Sequence, residues 1–515
     1  MTRRFPRQIA RFLTAATLSA LPAAASAAPP EIPSSPLETV PRTAAERARI
    51  APVIAPATDF TKPERFEALQ AGAATSKAMV NRDSYSHSSA NMSFEKELDF
   101  KLGNGLFRKV WVSAPSSTLA SDGLGPLYNS RSCQRCHLKD GRGHPPENAD
   151  DSAESMFLRI SIPGGPEDAV QGIEDYIATL PDPTYGLQIQ DTALPGLPAE
   201  AKMEISYEEI EVPLSEGEVA HLRKPTYALG DPAYGQPHQG AMLSPRVAPQ
   251  MIGLGLLEAV PAEDILALSD PDDTDGDGIS GRANIVWSKE FERPMLGRFG
   301  HKAGTPTIRQ QSADAFAGDI GISNPINRAG WGECTKAETA CRAMPDGGTG
   351  SAEDLEIDQE GLDLVTYYSR NLAVPMRRVV DDSEVLHGKQ VFYETGCTAC
   401  HNPKFVTHRL ADQPEQSFQL IWPYTDMLLH DMGEGLADHR PEARATGTEW
   451  RTAPLWGIGL TQDVSGHSYF LHDGRARSLL EAILWHGGEA EPAKMQVVDM
   501  PKADRDALLK FLESL

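Results

Sequence analysis

Positive charge is what this 515-residue chain is short of. Its 48 Lys and Arg face 72 Asp and Glu, a formal net charge of −24. Nucleic-acid binders usually carry a basic face, so that class is set aside. An acidic surface favours solubility and can steer basic partners. Also missing, beyond the first thirty residues, is any apolar run long enough to span a bilayer. Cysteine is scarce, with six in all. With 23% charged and 40% hydrophobic residues, the composition is that of a soluble globular protein of two or three domains.

The first residues read as a targeting segment. Arg3, Arg4, Arg7 and Arg11 open it, an apolar stretch from Phe12 to about Ala24 follows, and Ala25-Ser26-Ala27 offers small residues for cleavage. The stretch is too short for a membrane anchor and is broken by Pro22. Losing residues 1–27 removes four arginines and no acid, which takes the net charge to −28. The expectation is an exported, periplasmic protein without a membrane span in its mature form.

The six cysteines fall into pairs. Cys133 and Cys136 sit in C-Q-R-C-H, which ends in His137; Cys397 and Cys400 sit in C-T-A-C-H, which ends in His401. C-x-x-C-H is the attachment signature of c-type haem. Two thiols bond the porphyrin vinyl groups, and the next residue presents an imidazole to the iron. A dithiol has no need of the histidine, and a four-cysteine zinc site built from both pairs is the other rival. Two copies in an exported chain favour two covalently bound haem c groups. Cys334 and Cys341 flank T-K-A-E-T-A, where an oxidising compartment predicts a short disulfide.

Residues 28–59, rich in Pro and Ala, predict a loose N-terminal arm. Beyond it the chain echoes itself. KLGNGLFRKVW (101–111) precedes the first motif and LHGKQVFYETG (386–396) the second. RVAPQMIGLGL (246–256) and RTAPLWGIGL (451–460) follow them. Each half ends in an apolar helical pattern, LDLVTYYSRNLAVP and RDALLKFLESL, and Pro375 stops the first. The predicted fold is mainly α: two cytochrome c-like haem domains, 60–375 and 376–515, with long loops. SMFLRISIPG and KMEISYEEIEVPL alternate as strands do and predict a β-rich insert over 150–240 in the first domain.

These residues resemble the bacterial di-haem oxidoreductases, a group also labelled thiol oxidoreductases. That group is related to the di-haem cytochrome c peroxidases and to the di-haem enzyme that matures methylamine dehydrogenase. The resemblance is carried by APSSTLASDGLGPLYNSRSCQRCHLKDGRG, SPRVAPQMIGLGLLEAVP, DTDGDGISGRANIV, MLLHDMGEGLAD and FLHDGRARSLLEAILWHGGEA, and spans roughly residues 90 to 515. Thiol chemistry is discounted, because haem thioethers would consume the C-x-x-C cysteines.

His137 and His401 are the expected proximal ligands; the distal ones decide function. In the di-haem peroxidases the segment similar to SLLEAILWHGG carries a methionine on the electron-transfer haem. Here His486 holds that place, so the resemblance implies a His401/His486 haem of lower potential. His472 is the nearest rival, although its neighbours Asp473 and Arg475 could instead hold a propionate. For the first haem His144, His238, His301 and His430 are candidates. The matching segment TIRQQSADAFAGDIG has no histidine, and Phe316 falls roughly where His486 does. An open distal side would need an acid–base group, for which His144, His430 and Glu258 are candidates. One of the seven tryptophans could lie between the haems.

Asp273, Asp275 and Asp277, followed by Gly278, have the spacing of half an EF-hand loop, but Asn284 replaces the usual twelfth-position glutamate. A related di-haem enzyme binds calcium between its haems, and one Ca2+ is expected here. The leading expectation is a peroxidase-like oxidoreductase. It would take electrons from a small redox donor or cytochrome at the second haem and pass them to peroxide, or a similar oxidant, at the first. The alternative is a di-haem electron-transfer cytochrome without a substrate of its own.

Overall fold

Helix-breaking residues shape the architecture. Forty-three glycines and forty prolines are spread along the chain; in a helix interior Gly costs about 1 kcal/mol and Pro about 3 kcal/mol. The computed structural model describes residues 1–2, 36–146, 151, 154–348 and 353–515. The targeting segment expected over 1–27 therefore lies almost wholly outside the described residues. Of the described residues only 28% are helical and 17% are strand. The expectation of a mainly α fold is thus corrected. Helical periodicity is confined to a few segments, and the Gly- and Pro-rich connections between them close their hydrogen bonds in turns and short ladders. Among the described residues there are seven small sheets, six of them two-stranded.

The described residues from 36 onward belong to one compact unit. Within the segment expected as an arm, helix α1 (Ala44–Ile54) starts at a capping box in which Thr43 and Glu46 bond each other's backbone N–H. Thr39–Val40 pairs with Arg409–Leu410.

The frame proper consists of two matching helix pairs. In the first half, α2 (Glu97–Phe107) is followed by strands β1 (Met156–Pro163), β2 (Lys202–Pro213), β3 (Val219–Gly230) and β4 (Met242–Val247). Helices α3 (Ile308–Ala315) and α4 (Gln359–Arg370) complete it. The second half contains α5 (Ser383–Glu394), α6 (Leu479–Leu484), α7 (Glu491–Asp499) and α8 (Lys502–Ser514). α2 packs on α4, and α5 packs on α8.

Each pair crosses at a glycine. A Cβ on Gly103 would lie 2.2 Å from the Leu364 carbonyl oxygen, and one on Gly388 would lie 1.9 Å from that of Ala507, so both crossings bring backbones into contact. Four residues on from each glycine stands a phenylalanine. Phe107 packs 5.2 Å from Tyr368 at 48°, and Phe392 packs 5.2 Å from Phe511 at 45°. The echoes at 101–111 and 386–396 therefore occupy equivalent places. Buried Phe107, Phe316, Val365 and Tyr368 belong to one core cluster, and Phe392, Tyr424, Leu508 and Phe511 to another.

Both stretches read as strands in the insert are strands. β1 pairs with β4, and β2 with β3 in a ribbon of twelve residues per strand. At its base the ribbon turns Met203, Tyr227 and Leu229 toward Leu158 and Ile160 of β1. Toward its tip the opposite face is covered, and Ile210, Val212 and Leu222 pack on the second half. Strand twist accounts for the exchange of faces.

Candidate haem-binding cavity

One continuous cavity of about 860 Å3 runs through the unit and is lined by both C-x-x-C-H segments. The first motif lies on a one-turn helix, Cys133–Cys136, and the second on a 3-10 turn, Cys397–Ala399. All four cysteines are unbridged. Burial pushes the Cys133 thiol up to about 12 and that of Cys397 up to about 11, so these are protonated thiols and not activated thiolates. The two pairs do not converge on one point: among the described residues, the only metal-competent cluster of three or more groups is Asp270, Asp273 and Asp275. A shared four-thiol zinc site is therefore ruled out. Cys334 and Cys341 form a buried disulfide.

The two motif histidines are presented alike. His137 Nδ1 donates to the Pro249 carbonyl at 2.8 Å and His401 Nδ1 to that of Tyr424 at 2.9 Å. Burial, as the main cause, lowers each to about pKa 4, so both are neutral imidazoles. A carbonyl on Nδ1 leaves the Nε2 lone pair for a metal. Phe107 lies 6.1 Å from the His137 ring and Phe392 lies 6.3 Å from that of His401, so the helix pairs deliver both histidines in the same way. His486 is held likewise, with Nδ1 on the Ala482 carbonyl at 2.7 Å, its pKa lowered by burial, and its ring in the cavity wall close enough to His401 to lower its pKa.

Two short helices line the cavity and share a register. Thr307 caps α3 by accepting from Gln310 N, and Ser478 caps α6 by accepting from Glu481 N, both at 3.1 Å. Counting from each cap, Ile308, Gln311, Ser312 and Ala315 line the cavity in the first half; Leu479, Ala482, Ile483 and His486 line it in the second. Cap register thus sets Ala315, one residue before Phe316, against His486. Phe316 also lines the cavity, at the start of a π-helix that ends at Ile320.

The remaining sequence candidates scatter. His144 does not line the cavity; its Nδ1 meets its neighbour's carbonyl, and Asp151 stands 3.9 Å away. Glu258 is buried behind α3, where it accepts from Ile308 N at 3.0 Å and pairs with Arg370 at 2.9 Å. His238 bonds its own turn. His301 lines the cavity with Nε2 on the Val247 carbonyl. His430 stands at the second motif, not the first, 3.4 Å from Cys400 Sγ. Its two ring nitrogens bond Glu489 and Asp426, each at 2.8 Å. Burial opposes its charge, but the two carboxylates prevail and hold its pKa well above the ordinary value. His472 lines the cavity and stacks 3.8 Å from Trp450, the one tryptophan in the lining among the described residues. Asp473 and Arg475 are bonded to each other outside the lining. In the acidic loop, Asp270 joins Asp273 and Asp275, while Asp277 accepts from Ile279 N instead.

Sequence reading missed the cations. Arg142, Arg298 and Arg451 line the cavity, and their hydrogen bonds run to backbone carbonyls, those of Tyr469, Leu257 and Gly300 among them. Among the described residues none of the three has an ion-pair partner, and burial lowers each to about 10, still charged at neutral pH. Buried guanidinium groups without carboxylates call for an anion. Haem propionates are such anions, and the rest of the donor set (paired thiols, Nε2-free imidazoles and apolar walls) fits haem as well.

A cavity with two such donor sets defines a two-haem protein. The chain belongs to the di-haem oxidoreductase family: residues 67–515 match the family described as "Di-haem oxidoreductase, putative peroxidase". No curated protein matches it.

Proposed function

We propose that the chain is an exported, periplasmic di-haem c-type oxidoreductase with peroxidase-like activity. Cys133 and Cys136 would hold one haem and Cys397 and Cys400 the other through thioethers, with His137 and His401 offering their imidazoles to the irons. The observation that carries the reading is the shared register of α3 and α6, which sets His486 against Ala315. His401 and His486 would together hold the second haem, a ligand pair suited to electron transfer. Ala315 has no donor atom, so the first site keeps an open side. When bound, the haems would supply the redox chemistry, with the second site suited to receiving electrons and the first to reducing an O–O bond.

The polypeptide orients and encloses. Gln311 and Ser312 put an amide and a hydroxyl where Ala482 and Ile483 leave the second site apolar, so a small oxidant can be hydrogen-bonded at the first. Arg142, Arg298 and Arg451 neutralise the propionates, and the aromatic pairs behind His137 and His401 keep water from the proximal sides. A small redox protein or cytochrome is the donor class. Asp270, Asp273 and Asp275 are the ligands we assign to the expected Ca2+.

Pyridine haemochrome on denatured protein counts covalent haem, and ferric EPR with and without hydrogen peroxide then tests the division of labour. The expected outcome is two haems, one high-spin and one low-spin, with peroxide consuming the high-spin signal. Two low-spin haems inert to peroxide would leave the electron-transfer cytochrome. Absence of covalent haem would end both readings.

A further inference from the structure

The helix that carries the second site's ligand leans on an element from the other half. We propose that the β2–β3 ribbon is the positioning element for His486; this rests on the reading of His486 as an axial ligand. α6 has only six residues, far below the length at which a helix sustains itself. His486 follows its C-terminal cap, with its N–H on the Ile483 carbonyl at 3.0 Å and its ring on that of Ala482. The place of the imidazole is therefore the place of the last turn of α6.

That turn is packed from outside by the ribbon. Ile210, Val212 and Leu222 share one apolar cluster with Leu480, Leu484 and Trp485. Leu222 is 4% exposed. Arg477 fastens the first turn of the same helix. Its Nη1 donates to Glu209 Oε1 at 3.0 Å, its Nη2 to the His221 carbonyl at 2.7 Å and its Nε to Glu481 Oε1 at 2.9 Å. The tip is anchored further on, where Ser215 bonds the Met500 carbonyl and Glu218 pairs with Arg505 at 2.7 Å. Among the described residues the first half shows no such arrangement: α3, which presents no ligand, packs on α4 of its own half and runs on into the π-helix. The helix that must hold an iron ligand is thus the one with an external brace.

The test is ferric EPR on the full-length holoprotein, with His486→Ala marking complete release. Leu222→Ala trims the face against α6, and Met203→Ala trims the opposite face at the ribbon's base. Leu222→Ala should raise the high-spin fraction of the second haem about tenfold, equivalent to about 1.4 kcal/mol, while Met203→Ala leaves it unchanged. Equal responses to the two substitutions, or none, would overturn the proposal. If Leu222→Ala does not load haem, Arg477→Gln decides. It leaves the apolar cluster intact and should raise the high-spin fraction at least about twofold, and no rise rejects the brace. A His486→Ala protein that keeps a low-spin second haem would instead show that His486 is not the ligand, a failure of the underlying reading and distinct from failure of the brace.

Discussion

Ala315→His would give the first site the counterpart of His486, the distal ligand we propose for the second. The register makes the graft specific: both residues lie eight beyond their caps, and the Gln311 carbonyl stands where Ala482 offers its own to the His486 ring. Ala315 is half-buried and faces the cavity, so the added ring projects into space and not into packed core. If the new imidazole binds iron as His486 is held to, with 99% occupancy, it is favoured by about 2.7 kcal/mol. Only the open fraction can meet the oxidant, so the observed rate falls by the same factor, about 100-fold. Stopped-flow absorbance with hydrogen peroxide measures the rate, and EPR reports conversion of the high-spin ferric haem to low-spin. A variant that stays high-spin and reacts within about twofold of the parent would refute the register argument, because α3 would then not face the first iron as α6 faces the second.

Gln311→Leu should keep both ferric spectra and slow the peroxide reaction by about 100-fold, the usual scale for loss of one oriented donor; single-turnover kinetics give the number. His430 binds a proton more tightly in the folded protein than in the unfolded chain. Its stabilisation is therefore complete below about pH 6.5 and is lost as pH rises through the higher folded pKa, with a slope of up to about 1.4 kcal/mol per pH unit. Thermal melts between pH 6 and 9 should show that slope in the parent and a flatter one in His430→Asn. Asp275→Asn should weaken Ca2+ binding at least about tenfold in calorimetry of the chelator-treated holoprotein, since one of three converging carboxylates is neutralised.

How far the sequence foretold the molecule depended on whether a signal was local. C-x-x-C-H is written in five consecutive residues, so the two segments that line the cavity were legible, as was the helix crossing repeated at Gly103 with Phe107 and Gly388 with Phe392. The disulfide followed from pairing the leftover thiols. Helix content was over-read, since four apolar helical patterns were extended across Gly- and Pro-rich connections. A loose alignment sets Phe316 against His486, whereas the caps Thr307 and Ser478 give Ala315, so the capping residues carry the finer signal. Asp270 lies outside the alternating Asp pattern and was missed in favour of Asp277. Arg451 opens the repeated R-x-A-P segment and Arg142 lies just beyond the first C-x-x-C-H, but neither pattern marks a buried cation: a buried arginine differs from a surface one only in what surrounds it after folding.

The crossing glycines bear on how such a chain can grow. The first crossing joins residues separated by roughly twice as much chain as the second, because the ribbon and its neighbours lie between α2 and α4. Loop-closure entropy rises only logarithmically, so doubling the loop costs about 0.6 kcal/mol. Well over a hundred extra residues thus burden the first crossing by less than one good hydrogen bond. The brace on α6 could be acquired within that span without endangering the helix pair that frames His137.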